Sequence, residues 1–266
     1  MSFNVNGLRS RLLQLHDVIS KHHPDIIGLQ ETKVSNEDFP FKDIEAMGYQ
    51  AQIHGQKGHY GVAFLHKKSP NSTQCGFLTD NVDSQCRMIH STYDFNGTIL
   101  QLINCYFPQG EGRAHPTKFP AKQKFYADLL DYLNKNFARD DAVVVMGDMN
   151  VAHKDIDVGI KPENAKRWLK TGKSAFLPEE REWLQALLNW GLIDTFRQDN
   201  PENDTYSWFD YRSRGFDQEP KRGLRIDLLL ASETAVKICH QSGIDLDARG
   251  HEKPSDHCPI WIDLKI

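Results

Sequence analysis

The sequence predicts an α/β fold in which mixed, mainly antiparallel sheets lie inside an outer layer of helices. Short runs rich in Val and Ile recur along the chain, and three longer segments carry helical spacing. The two kinds alternate irregularly, which favours mixed sheets over a strict βαβ winding. The strand-like runs are DIIGLQE (25–31), YGVAFLHK (60–67), TILQLINCYFP (98–108), AVVVMGD (142–148), LRIDLLLAS (224–232) and CPIWIDLKI (258–266). AVVVMGD, β-branched and bounded by charge, reads as an interior strand covered on both faces. Helical spacing is clearest in RLLQLHDVISKHH (11–23), AKQKFYADLLDYLNKNF (121–137) and PEEREWLQALLNWG (178–191). The last opens with Pro178 and two glutamates and stops at Gly191, matching the usual chemistry of helix ends.

At 266 residues the chain is long enough to bury a large core, and it offers no linker, low-complexity tract or short-period repeat. Residues 1–266 are therefore expected to form one domain. With 32 Lys plus Arg against 36 Asp plus Glu, the net charge of −4 excludes a basic coat for nucleic acid. Any such partner must be met by a local patch. Cysteines at 75, 86, 105, 239 and 258 form no CxxC pair. Their odd number fits a reducing compartment, and they read as buried packing residues. The opening MSFNVNGLRSR has neither a signal-peptide core nor a membrane-spanning run, so a cytoplasmic protein without a membrane partner is expected.

Polar residues collect where strands end. Asn4 and Asn6 follow a short first strand, Glu31 ends the second, and Asn104 and Tyr106 lie near the end of another. Asp148 and Asn150 close AVVVMGD, Asp227 interrupts LRIDLLL, and Asp256-His257 precedes the last strand. Asp148 and Asn150, two apart in an extended chain, should point to one face. Each residue alone has an ordinary turn or cap role. Their conjunction, drawn from distant parts of the sequence, is how a rigid sheet assembles a site.

Clustered carboxylates repel unless a cation lies among them, and oxygen ligands select hard cations such as Mg²⁺, with Mn²⁺ as a substitute. Zinc is disfavoured because no Cys/His ligand spacing accompanies the acids. Mg²⁺ takes few protein carboxylates, which leaves others free for proton work. Asp227 beside His257 would fix the tautomer and favour an imidazolium whose other N–H faces an anion. The set suits hydrolysis of a phosphate ester.

The segments SFNVNGLR, DIIGLQETK, GHYGVAFL, NCYFPQG, MGDMN, SWFDYR, GLRIDLLLAS and EKPSDHCP resemble, in order and across nearly the whole chain, the exonuclease III family of bacterial AP endonucleases. That family lies within the endonuclease/exonuclease/phosphatase superfamily. The resemblance implies a four-layer α/β sandwich. It also implies Mg²⁺-dependent cleavage 5′ to abasic sites in double-stranded DNA, with 3′-to-5′ exonuclease and 3′-phosphatase action on blocked 3′ ends, by a monomer. By motif, Glu31 is the principal metal ligand, with Asn4, Asn6, Asp148, Asn150, Asp256 and His257 about the metal. Asp148 matches the residue that orients and deprotonates water, and Asn150 the amide that fixes Asp148 and the phosphate. Asn4 and Tyr106 match phosphate contacts, and Asp227 with His257 the pair that stabilises the phosphoryl oxygens. Trp208, Leu224 and Ile226 match the pocket for a baseless sugar, whereas Phe209 and Tyr211 read as core.

The rival within the superfamily is a phosphatase or phosphodiesterase acting on a small head group. Against it stand four basic segments interleaved with aromatics or glycine: GQKGHYG (55–61), KFPAKQK (118–124), KRWLKTGK (166–173) and DYRSRGF (210–216). Such segments can hold a nucleic-acid backbone, although each alone also reads as a solvated face. His16, His22 and His90 read as surface residues. A scaffold that only binds would be expected to lose its acids, and none is lost.

Overall fold

Two six-stranded sheets share the chain, and a computed structural model describes residues 1–266. The first sheet contains β1 (Ser2–Asn4), β2 (Ile26–Gln30), β3 (Gln50–His54), β4 (Val62–His66), β11 (Cys239–Ile244) and β12 (Ile260–Leu264), in the order β11-β12-β1-β2-β4-β3. The second contains β5 (Ser72–Cys75), β6 (Met88–Phe95), β7 (Thr98–Tyr106), β8 (Ala142–Asp148), β9 (Leu192–Asp194) and β10 (Asp227–Ser232), in the order β5-β6-β7-β8-β10-β9. Each sheet has one parallel pair at its centre, β1 with β2 and β7 with β8, and its other pairings are antiparallel. Helices α1 (Leu12–His22) and α3 (Lys118–Asn136) make the crossovers. The remaining helices are α2 (Phe41–Ala46), α4 (Pro162–Thr171), α5 (Pro178–Asn189), α6 (Thr195–Asp199) and α7 (Glu233–Lys237).

The period of 2 along the strands separates the layers. In β8, Val144 and Met146 face the other sheet and pack with Phe64, Leu102 and Ile260. Val143 and Val145 face outward to Phe125, Leu129 and Leu133 of α3 and Leu184 and Leu187 of α5. On the far side, Leu15 and Val18 of α1 cover Phe3, Ile27 and Leu29. Helix, sheet, sheet and helix therefore stack as the expected four-layer sandwich.

The strands legible as apolar runs are central ones. β3, β5, β9 and β11 went unread, and they are the four sheet edges, where one neighbour is missing and burial no longer dictates an apolar sequence. The polar-alternating β6 beside edge strand β5 was missed as well. Helix α4 was read only as a basic segment because it buries no residue. Gly147 lets β7 and β8 meet closely at their ends: at φ 141°, a Cβ there would lie 1.9 Å from the Cys105 carbonyl oxygen.

Several expectations need correction. Asn104 does not reach the strand ends' common cleft. It lies between the sheets, donating to the carbonyls of Leu29 and Ala63 and accepting from Gln30, so it ties one sheet to the other. Tyr211 is no core residue: its ring is half exposed and its hydroxyl donates to the Pro254 carbonyl. Phe209 is fully buried, as expected. His90 is half-buried and bonded to Tyr132 and Gln101, and of the cysteines Cys105 and Cys258 alone are buried. No helix is long and apolar enough to cross a membrane.

Candidate active site

The C-terminal ends of the two parallel pairs open into one cleft of about 680 Å³. Glu31, Tyr106, Asp148, Asn150, Trp208, Leu224, Ile226, Asp256 and His257 all line it. Asn4 and Asn6 lie just beneath, bonded to residues of its floor. Apart from Asn104, which lies between the sheets, the site residues singled out in the sequence are thus brought to this place, Asp227 through its bond to His257. The ends of β1, β2, β7 and β8, the start of β10 and the turn before β12 deliver them.

Asp148 sits at the centre and is almost wholly buried. Its Oδ2 accepts from Asn4 Nδ2 at 3.0 Å and Asn150 Nδ2 at 3.1 Å, and its Oδ1 accepts from the Asn150 amide at 3.0 Å. The reason Asn150 reaches Asp148 differs from the expected alternation along a strand. β8 ends at Asp148, and Asn150 adopts a left-handed φ of 54°, so a turn rather than the pleat folds its amide back onto the carboxylate. Its Nδ2 also donates to the Phe107 carbonyl.

His257 is buried with Nδ1 2.9 Å from Asp227 Oδ2 and Nε2 3.8 Å from Asp148 Oδ2. Burial works against its charge, yet Asp227 and Asp148 raise its pKa to about 10, so the ring is an imidazolium. Ser207, overlooked in the sequence although it stands within SWFDYR, donates to Asp227 at 2.6 Å and accepts from the Ile226 and Asp227 amides. It fixes the carboxylate that fixes the ring.

Glu31 follows β2 in a left-handed turn with φ 51°. Burial opposes its charge, but the Lys33 ammonium 2.9 Å away, the His257 charge and a bond from Tyr106 together outweigh burial and hold the carboxyl below its usual range. Asp148 goes the other way: burial pushes it up to about 8 against the opposing charge of His257, and Asp227 and Glu31 add to the rise. Tyr106 is held protonated, its pKa well above the ordinary value through burial and then the charges of Glu31 and Asp148. Asp256 accepts from Asn6 at 2.8 Å and from the Trp208 indole at 3.0 Å.

These donors fit a metal ion. Carboxylate oxygens of Glu31 and Asp148 lie within 4.8 Å of each other and of a His257 ring nitrogen. The imidazolium has no lone pair for a cation, so the expected place of His257 among the metal ligands is not supported and the donors are the oxygens. Lys33, two residues past Glu31 and unremarked in the sequence, donates to both Glu31 and Asn6, so the oxygens already converge on a positive charge. Oxygen-rich donor sets of this kind suit hard divalent cations.

Of the four basic segments, two line the cleft: KRWLKTGK through Arg167, Trp168 and Lys173, and DYRSRGF through Arg212 and Ser213. In GQKGHYG, Tyr60 packs against Arg87, whose guanidinium also covers the Tyr106 ring. KFPAKQK departs from expectation, because Lys122 is buried against Glu180 and Lys118 and Lys124 are paired with Glu111 and Asp128. The sequence also gave no sign of Arg225, fully buried between Asp157 and Asp194, which secures the LRID segment behind the Leu224 and Ile226 wall.

A four-layer sandwich with amides, carboxylates and an Asp-His pair at the strand ends defines a class of phosphoesterase. The chain belongs to the Endonuclease/Exonuclease/phosphatase family, whose model matches residues 1–257. It is 55% identical to Exodeoxyribonuclease III of Haemophilus influenzae over 100% of this chain and 99% of that protein. It is 31% identical to DNA repair nuclease APEX1 of Danio rerio, over 100% of this chain and 81% of that one. Among solved structures it superposes on an AP endonuclease from Archaeoglobus fulgidus with a TM-score of 0.90 at 32% identity, covering 100% and 98% of the two chains. A 3′ phosphatase from Neisseria bound to a product DNA hairpin gives a TM-score of 0.90 at 34% identity, with the same coverage.

Proposed function

We propose that this protein is a Mg²⁺-dependent DNA repair nuclease that cleaves duplex DNA 5′ to abasic sites and trims 3′ ends as a 3′-to-5′ exonuclease and 3′-phosphatase. The observation that carries the reading is Asp148, a buried carboxylate oriented by Asn4 and Asn150 and facing His257 across 3.8 Å in a cleft walled by basic and aromatic residues. The names of the relatives, an exodeoxyribonuclease, an AP endonuclease and a 3′ phosphatase bound to DNA, support it.

Glu31 would hold the cation, with Asn6 and Asp256 beside it. Bound there, Mg²⁺ supplies positive charge that stabilises the phosphoryl oxygens and keeps Asp148 ionised. Asp148 orients a water and accepts its proton as that water attacks phosphorus, and the P–O3′ bond breaks so that the 3′ oxygen leaves and takes a proton from solvent. Asn150 and Asn4 hold the Asp148 carboxylate at the angle this requires. His257, an imidazolium fixed by Asp227, donates from Nε2 to a non-bridging oxygen where charge builds, and the Tyr106 phenol donates beside it. Trp208, Leu224 and Ile226 form a wall against which a sugar without a base can lie, while an attached base would collide. The working unit is a monomer acting in the cytoplasm.

The test is a duplex oligonucleotide with one abasic analogue, incubated with Mg²⁺ or EDTA, beside a head-group phosphodiester. Incision 5′ to the lesion in Mg²⁺ alone is expected. Cleavage of the head group without incision would overturn the assignment.

A further inference from the structure

The Lys122–Glu180 pair has both side chains fully buried, where an ammonium and a carboxylate cost more to desolvate than their attraction ordinarily returns. An apolar pair would fill the space as stably, so the geometry these charges impose is the feature to explain. Lys122 Nζ donates to Glu180 Oε1 at 2.6 Å, to Ser174 Oγ at 2.9 Å and to the backbone carbonyl of Asn150 at 2.8 Å. Glu180 Oε2 in turn accepts from the amides of Ala175 and Leu177, each at 2.8 Å. Ser174 also donates to the carbonyl of Gln109 at 2.6 Å. Gln109, Asn150, Ser174 and Ala175 all line the cleft, so one buried cation ties together three of its walls.

Helix α3 adds a second tie one turn further on. Tyr126, four residues after Lys122 and so on the same face, donates its hydroxyl to the Met149 carbonyl at 2.7 Å. Two successive carbonyls of the turn after Asp148 are therefore held from behind by one helix face. That turn is the one whose left-handed Asn150 folds back onto Asp148. The Asn150 amide is itself steadied by the Phe107 carbonyl, and the two bonds from α3 fix the backbone from which that amide extends.

We propose that Lys122 is a positioning residue for the hydrolytic step, acting through the Asn150 backbone with Tyr126 as its partner. It touches neither substrate nor reacting atoms. The inference rests on the function proposed above and deepens it.

The test uses the full chain on abasic duplex in Mg²⁺, with rates corrected for the folded fraction. The double variant Lys122→Met/Glu180→Gln removes both charges together, so neither is stranded. A kcat loss of about 10²-fold with KM changed by less than about threefold is expected, because small displacements of reacting groups cost rate rather than binding. Unchanged kcat per folded molecule would overturn the proposal and leave Lys122 a purely structural residue. Should the double variant not fold, Tyr126→Phe decides: it deletes one hydrogen bond and keeps the ring. A kcat lowered by about threefold to tenfold at constant KM supports positioning, and an unchanged kcat overturns it. Failure of the unaltered protein to incise the duplex would instead overturn the functional reading itself.

Discussion

In the first half of the chain, α1 returns the backbone so that β2 lies parallel to β1. In the second half, α3 does the same for β7 and β8. Both pairs occupy the centre of a six-stranded sheet, and both end at the cleft. Each half then turns through a left-handed residue, Glu31 at φ 51° in one and Asn150 at φ 54° in the other. The scaffold is repeated, but the chemistry is not. After β2 the carboxylate stands in the turn beside Lys33, which helps to keep it ionised. At β8 the carboxylate is the last strand residue, enclosed by two amides and an imidazolium, and burial makes it hold a proton more tightly. Two acids in unlike surroundings can divide the work, one staying an anion for a cation and the other exchanging a proton.

The largest effect should come from breaking the second half. Asp148→Asn keeps the size and much of the hydrogen bonding, so folding and DNA binding should survive while kcat falls by roughly 10²- to 10⁴-fold, the scale of a lost proton-transfer group. Added Mg²⁺ should not restore it. Near-normal turnover in this variant would remove Asp148 from proton transfer and leave the two halves without a functional distinction.

The Asp227–His257 pair belongs with Asp148, since the ring bridges the two carboxylates. Asp227→Asn and His257→Asn should each lower kcat by about 10²-fold or more, as expected for a lost stabiliser of developing charge. The double variant should lose much less than the product of the two, because one damaged unit cannot be damaged twice. Multiplicative losses would show that the 2.9 Å contact carries no shared function.

Glu31→Gln probes the first half and should behave differently in kind. Removing the charged ligand should shift the Mg²⁺ concentration for half-maximal incision upward by about tenfold to 100-fold. Much of the rate should return at saturating metal. If it behaves like Asp148→Asn, with no recovery as metal is added, the division between a cation-holding and a proton-exchanging carboxylate fails.

Much of this was legible because burial leaves a sequence pattern. Central strands must be apolar on both faces, so β2, β4, β7, β8, β10 and β12 declared themselves, whereas the edge strands did not. Polar residues at the ends of such runs have no packing reason to be there, which is why Asn4, Glu31, Asp148 and Asp227 could be singled out. The internal repeat was invisible, since it survives as strand order rather than residue identity. Lys122 was misread as surface charge and Arg225 passed unremarked for a related reason. A buried ion pair has the composition of a solvated one, and its partner, Glu180 or Asp157, lies far along the chain.

Trp208 gives the smallest expected effect, and it lies where the two halves meet. Its backbone pairs with Leu224, which leads into β10 of the second sheet, and with His257 ahead of β12 of the first, while its indole donates to Asp256. The ring is half-buried and faces the cleft. As a pocket wall it contributes shape and apolar contact to a flipped, baseless sugar, so Trp208→Ala should lower kcat/KM on abasic duplex by about tenfold, within the ~1–3 kcal/mol of a lost aromatic contact to nucleic acid. Trp208→Phe keeps a ring but deletes the bond to Asp256, which separates wall from hydrogen bond. Retained lesion preference in Phe with loss in Ala would assign the effect to the wall. Melting temperature supplies the opposing measurement, because a ring belonging to the core would cost ~3–5 kcal/mol of stability on truncation to Ala. A large fall in melting temperature with incision per folded molecule unchanged would return Trp208 to the core, and lesion selectivity would then have to come from Leu224, Ile226 and the basic wall.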